Sequence, residues 1–206
     1  DVADPLCAPL PSALLLTGLG TNGSVSYTPA ALDFGAVNCG ATAAAKTVTF
    51  KNTGNQNYTV TSTLGLGTSS SFTMAMVPSS GVAAQDGGTV VITVTPRVIP
   101  ATSAVTPNLY GDTLTVTTDV SGDSAHDIPL RETARGAIFA ISATTLNFGS
   151  VTSGATASAQ FTVTNSGNAP GTLSFTAGQP TIFALPQSAV IAASPISPWR
   201  ESPLNN

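Results

Sequence analysis

The side chain of His126 is the first candidate for chemistry, because it is the only imidazole in the chain of 206 residues. Ser124 and Asp127 flank it, so a nucleophile, a base and an acid follow closely in sequence. A catalytic triad needs three side chains that converge on one cleft, whereas neighbours in a short strand point to alternate faces. We therefore expect a solvated histidine in a turn, and a hydrolytic enzyme is the least favoured function.

Three carboxylates near this histidine suggest a second kind of chemistry. Asp119, Asp123 and Asp127 are spaced by four around a predicted hairpin and could offer oxygen ligands to calcium. They do not follow the D-x-[DN]-x-[DN]-G pattern of a calcium loop. We expect solvated turn carboxylates, with calcium as the weaker alternative, and the sequence implies no cofactor.

Cys7 and Cys39 are the only cysteines. Two thiols are too few for a four-ligand zinc site, and neither has a histidine nearby in sequence to act as its base. The charge-poor, Ser- and Thr-rich composition is typical of secreted or cell-surface chains, in which disulfides persist. A disulfide between Cys7 and Cys39 is favoured, and the alternative is that Cys39 is simply a small buried residue.

Four large amphipathic rings offer a possible surface for sugars, namely Tyr27, Tyr58, Tyr110 and Trp199. They are scattered along the chain, and such rings more often anchor a core or a sheet edge. We expect the structural role, and keep glycan binding as an alternative.

Composition excludes several classes of partner. Six Lys and Arg residues with one His form no basic stripe, so nucleic acid and anionic lipid are poor partners. The longest apolar run near the start, residues 13–16, is far too short to cross a bilayer. We expect an extracellular or cell-surface location, with the periplasm possible.

An internal repeat determines which elements position these residues. The segment LDFGAVNCGATAAAKTVTFKNTGN at 32–55 recurs as LNFGSVTSGATASAQFTVTNSGN at 146–168. The offset of 114 between Leu32 and Leu146 matches the size of an immunoglobulin-like sandwich. Two units are therefore expected.

Alternating apolar residues predict an all-β fold of tandem immunoglobulin-like antiparallel sandwiches. Seven strands are expected in the first unit, beginning with one over Ser24–Gly35 that Pro29 interrupts as an edge-strand device. The alternation of Val48 and Phe50 predicts a half-buried strand over Lys46–Asn52. His126–Thr133 is the expected closing strand.

The repeat also predicts the domain boundaries. Residues 1–23 would hold a leader and, at 13–20, the orphan last strand of a preceding repeat, and residues 24–137 one complete sandwich. Residues 138–192 would form a partial second repeat that lacks its last three strands, followed by a proline-rich tail at 193–206, because prolines at 195, 198 and 203 cannot continue a ladder.

An incomplete sandwich exposes the inner faces of its strands, which another chain must cover. We therefore expect a homodimer or higher oligomer that forms by strand exchange. The residues expected to mediate this self-association are Phe139, Phe148, Phe161, Val163, Phe175, Phe183 and Trp199.

The two repeated motifs resemble the ASH or hydin-type domains, including those called choice-of-anchor D. The resemblance rests on the Leu-x-Phe-Gly strand, a glycine near the start of the next strand, and the Asn-x-Gly-Asn turn, and it covers residues 13 to about 192. It implies immunoglobulin-like domains that are common in bacterial repeat proteins. Such domains serve as spacers or as adhesive or assembly modules, with no shared catalytic residues.

The favoured function is accordingly a non-catalytic structural or interaction module in an array of sandwiches. The alternative is a module that binds a glycan or another protein through its loops. Thr95–Asn108 is the candidate contact loop, because it is long for a sandwich connection. The sequence does not specify a biochemical activity.

Overall fold

The structure is a computed structural model that describes residues 16–18, 20–176, 184 and 188–193. Nine strands form the first sandwich. They are β1 (Val25–Thr28), β2 (Leu32–Asn38), β3 (Lys46–Asn52), β4 (Tyr58–Leu64), β5 (Phe72–Val77), β6 (Val82–Ala83), β7 (Thr89–Pro96), β8 (Asp112–Thr118) and β9 (His126–Arg135). A short 3-10 turn, Gly67–Ser69, precedes β5.

Two sheets face each other across one apolar core. One sheet has the order β1-β3-β7-β5 and the other the order β2-β9-β8-β4-β6. The predicted alternation in β3 is confirmed, because Val48 and Phe50 are fully buried and pack in one cluster with Val60 and Leu130 of the other sheet. Alternation of this kind buries one face of each strand and leaves the other face polar.

The prediction of a single strand over Ser24–Gly35 is wrong, because this segment forms two strands that lie in different sheets. The chain leaves the first sheet near Pro29, which has no backbone N–H for a ladder, and enters the second sheet as β2. Both β1 and β2 are edge strands, as Pro29 indicated.

The expectation that all strands pair antiparallel is also wrong for one pair. β2 runs parallel to β9, with Leu32 opposite Leu130, whereas the other pairs of the first sandwich are antiparallel. The crossing near Pro29 turns β2 into the second sheet beside the closing strand and in the same direction.

The second unit contains four described strands. They are β10 (Phe139–Ile141), β11 (Val163–Asn165), β12 (Gly171–Ser174) and β13 (Ser188–Ile191). β10 pairs with β11, and β12 pairs with β13, both antiparallel. β13 was not predicted, because the prolines that follow it masked a short strand that ends before them.

The predicted strand at Leu146–Phe148 is wrong, because these residues lie outside the strands of the structure. Its counterpart β2 is held by β9, and the described part of the second unit offers no strand equivalent to β9. The turn at the same position forms in both units, although the second unit has no strand there. The Asn147 side chain accepts the Gly149 N–H at 2.8 Å, as Asp33 does for Gly35.

Several predicted features lie partly or wholly outside the described residues. Of the orphan strand at 13–20, residues 16–18 and 20 are described and have no strand pairing, and the rest lies outside the described residues. Phe183 and residues 194–206 lie outside them as well. The incomplete second repeat therefore stays a prediction.

Candidate functional site

The two Asn-x-Gly-Asn turns, Asn52–Asn55 and Asn165–Asn168, join each unit to the chain that enters it. Asn52 ends β3 and is fully buried. Its Nδ2 donates to the carbonyls of Gln56 at 2.7 Å and Ala83 at 3.2 Å, and its Oδ1 accepts the Gly54 N–H at 2.9 Å. A buried amide with its donors and acceptor satisfied fixes the turn and the adjacent strand together.

Asn165 makes the same contacts in the second unit. Its Nδ2 donates to the carbonyls of Ala169 at 2.8 Å and Ile191 at 3.3 Å, and its Oδ1 accepts the Gly167 N–H at 2.9 Å. Ile191 of β13 thus occupies the place of Ala83 in β6. The second unit therefore contains the counterpart of a strand that the sequence did not reveal in either unit.

The last asparagine of each turn forms two hydrogen bonds with the chain segment that enters the unit. Asn168 donates to the Ala134 carbonyl and accepts the Gly136 N–H, both at 2.9 Å. Asn55 does the same with the Gly20 carbonyl at 2.9 Å and the Asn22 N–H at 2.8 Å. The segment at 20–22 is therefore held on the first sandwich as the end of β9 is held on the second unit.

The glycine of each turn permits this close crossing of two backbones. A Cβ at Gly167 would collide with the Gly136 carbonyl oxygen, and one at Gly54 would collide with that of Asn22. Only glycine allows such an approach without displacing the entering chain. We call the crossing of Ala134–Ile138 over Asn165–Ala169 the joint.

A cleft of about 700 Å³ lies beside the joint. It is bounded by the end of β2, the loop residues Ala101–Val105, the joint, and Pro170 of the second unit. Arg135 stands at its rim, and its Nη1 donates to Asn38 Oδ1 at 3.0 Å. Cavities of this size between domains are common sites for small ligands.

The apolar residues predicted for self-association are less buried than their counterparts in the first sandwich. Val48 and Phe50 are fully buried, whereas the matching Phe161 and Val163 are only half-buried. Phe139, Phe148 and Phe175 are half-buried as well, and the Phe175 ring meets that of Phe161 edge to face at 5.7 Å. Phe183 and Trp199 lie outside the described residues. In the first sandwich β7, β8 and β9 complete this burial, and no equivalent of these strands is present among the described residues.

His126 is a packed residue, so the expectation of a solvated turn was wrong. It begins β9, its ring lies 4.7 Å from that of Tyr27 and 5.8 Å from that of Phe50, and its Nε2 contacts Asp123 Oδ2 at 3.0 Å. Asp127 lies on the exposed face of the same strand. The alternation of the strand separates Asp127 from the histidine, as the sequence argument required.

The three aspartates proposed for calcium do not converge. Asp119 accepts the Thr59 N–H at 2.8 Å, Asp127 accepts the Thr115 hydroxyl at 2.7 Å, and Asp123 contacts His126. Within the described part of the chain no group of three acidic, His or Cys side chains could hold a metal ion. The structure therefore gives the calcium alternative no support.

Cys39 is half-buried beside Gly136 at the joint and has no disulfide partner among the described residues. Cys7 lies outside the described residues, so the disulfide stays a prediction. The tyrosines form no shared sugar surface, because Tyr27 stacks on Phe50, Tyr58 is buried, and Tyr110 bonds the Ser103 hydroxyl at 2.7 Å.

Glu132 is a buried acid that the sequence analysis missed. It points inward from β9 between Leu130 and Ala134 and is only 1% exposed. Neither of its carboxyl oxygens has a hydrogen-bond partner among the described residues. Burial raises the pKa of Glu132 to about 7. Ile128, Leu130 and Ala134 alternate along β9 on its buried face, and this alternation could have predicted that Glu132 is buried with them.

Comparisons with known proteins found likenesses in solved structures alone. No protein-family model and no curated protein matches the chain. Domains 4 and 5 of the S-layer protein SbsC are 13% identical, with a TM-score of 0.34, over 54% of this chain and 51% of that one. The ASH/PapD-like domain of human CEP192 is 14% identical, with a TM-score of 0.39, over 62% of this chain and 97% of that one.

A third likeness is the CsuC–CsuE chaperone-tip adhesion subunit pre-assembly complex of Acinetobacter baumannii. It is 13% identical, with a TM-score of 0.33, over 82% of this chain and 86% of the matched one. Likenesses this weak carry no argument about function, and the sandwich architecture rests on the strand pairing given above. The described residues also contain no helix that could span a bilayer.

Proposed function

We propose that the chain is a non-catalytic structural and interaction module from an extracellular or cell-surface array of sandwiches of the ASH or hydin type. It acts as a spacer, and it associates with a second copy of itself through the second unit. The half-buried apolar face of that unit is the observation that carries the proposal. Strands that are open on one side recruit another strand when one is offered.

The joint has a counterpart at the start of the first sandwich, and this repetition supports the role of spacer. Asn55 and Asn168 hold the entering chain through the same pair of hydrogen bonds, so each unit presents the same attachment to whatever precedes it. A repeated attachment of this kind suits a linear series of units, in which each unit contacts its neighbours.

Sedimentation velocity over a range of micromolar concentrations tests the self-association. The wild-type chain should sediment as a dimer or larger oligomer, and Val163→Thr should weaken association because it places a hydroxyl on the face that a partner would cover. Val98→Thr is the matched control, since Val98 is 63% exposed on the first sandwich. A monodisperse wild-type monomer, or equal weakening by both variants, would refute the proposal.

The absence of catalysis is a separate part of the proposal. The sole imidazole packs against two rings and one aspartate, and none of these contacts among the described residues is to a nucleophile. A broad panel of hydrolase substrates should therefore give no turnover. Turnover that His126→Ala abolishes would overturn this part.

The second candidate is a binding module that uses the Thr95–Asn108 loop. Ile99 is 1% exposed and anchors the loop through backbone hydrogen bonds with Gly40 and Ala41, at 2.9 and 2.8 Å. The loop is therefore anchored at Ile99, and its residues Ala101–Val105 form one wall of the cleft beside the joint. A fixed loop over a concave surface is a common arrangement for recognition.

A further inference from the structure

We propose that the cleft beside the joint binds a short peptide segment that carries a carboxylate. The carboxylate would contact the Arg135 guanidinium, and the adjoining apolar side chain would lie on Ile138 and Pro170. The inference rests on the binding role proposed for the Thr95–Asn108 loop, and it is independent of self-association.

The charge of the cleft selects the ligand. Among the described residues that line the cleft, Arg135 has the only charged side chain. The guanidinium donates to the neutral amide of Asn38, and the only ion pair in the described part of the chain joins His126 and Asp123. Arg135 therefore keeps donors for a ligand, in a fork that matches a carboxylate.

Apolar residues make up much of the remaining lining of the cleft, among them Val105, Ala137, Ile138, Ala169 and Pro170. Ile138 is 38% exposed, although it lies at the joint where the chain enters the second unit. An aliphatic side chain that covered it would remove apolar surface from water.

The shape and lining of the cleft favour a peptide over a sugar acid. A volume of about 700 Å³ holds two or three residues of a peptide. The described lining includes no aromatic ring on which a sugar could stack. Backbone bonds anchor the Ala101–Val105 wall through Ile99, and Asn168 fixes the joint, so little ordering is needed on binding.

Titration of the isotopically labelled chain with N-acetyl-valyl-leucine, followed by NMR, tests the inference. The Gly136 amide and the Arg135 Nε–H should shift together, with a dissociation constant of about 0.1 mM. The C-terminal amide of the same dipeptide should bind about tenfold more weakly, because it cannot form the charged pair. Glucuronic acid should bind more weakly than the dipeptide.

Two variants locate the interaction. Arg135→Gln should weaken binding about tenfold while it keeps a donor for Asn38. Arg131→Gln is the matched control, because Arg131 is exposed on the same strand and outside the cleft. Ala104→Trp, on the exposed loop wall, should block the cleft without touching the core.

Each contrary outcome has a distinct meaning. Equal binding of the acid and the amide, or no effect of Arg135→Gln while Ala104→Trp still blocks, would overturn carboxylate recognition and leave the binding role of the loop standing. Tighter binding of glucuronic acid would overturn the choice of a peptide. No shift with any probe up to about 10 mM, a hundred times the expected constant, would overturn both the inference and the binding role.

Discussion

The buried carboxyl group of Glu132 should make the stability of the first sandwich depend on pH. Desolvation raises its pKa from 4.5 to about 7 in the folded chain. The unfolded chain exposes the carboxyl to water, so its pKa there is close to the ordinary value. Between these two values the folded state retains a proton that the unfolded state has lost.

The magnitude follows from the difference in pKa. Each pKa unit corresponds to about 1.4 kcal/mol, so the free energy of unfolding should fall by about 3 kcal/mol as the pH rises from 4.5 to 7. The stabilisation is fully present below pH 4.5, is lost through this window, and stays constant above it. Glu132→Gln keeps the shape of the side chain and removes the titration.

Urea unfolding followed by far-UV circular dichroism, from pH 4.5 to 8.5, measures this effect. The two proteins should have equal stability near pH 4.5, and Glu132→Gln should be more stable by about 3 kcal/mol at pH 8. Asp127→Asn, on the exposed face of the same strand, should follow the wild-type curve within about 0.5 kcal/mol. A gap between wild type and Glu132→Gln that does not change with pH would refute the reasoning.

Two further substitutions test the joint and the core. Gly167→Ala should destabilise the second unit by about 1–3 kcal/mol, because its Cβ would collide with the Gly136 carbonyl. Gly20→Ala, which has open space at the Cβ position, is the control, and equal loss in both proteins by hydrogen exchange would contradict the role of the joint. Tyr58→Phe should leave stability unchanged or raise it by about 1 kcal/mol, since the buried Tyr58 hydroxyl has no hydrogen-bond partner among the described residues. A loss of more than about 1 kcal/mol in urea unfolding would point to a partner for that hydroxyl.

Local patterns predicted local structure well. The alternation from Lys46 to Asn52 predicted β3 with its correct bounds, and the Asn-x-Gly-Asn motif marks the turn that follows it. The turn depends on neighbouring residues, so both copies of the repeat form it, although the strand before it in the second copy is only Val163–Asn165. The bond from Gly149 to Asn147 survives even where the strand around it does not.

Features that depend on distant partners were not predicted. The parallel pairing of β2 with β9 joins residues about a hundred positions apart, and no local pattern specifies its direction. β6 has only two residues, which is too short for alternation to be recognised. The cleft beside the joint combines segments from four parts of the chain, so its residues share no motif.

The pairing of β9 has a mechanical consequence. The polypeptide leaves the first sandwich at the end of β9, so tension along the molecule would pull on this strand through Arg135. β9 is bonded to β2 on one side and to β8 on the other. A pull along the strand axis would therefore load both ladders in shear, and many bonds would have to break together before the sandwich extended. Asn168 ties the same strand end to the next unit, so the force would reach both units at one point.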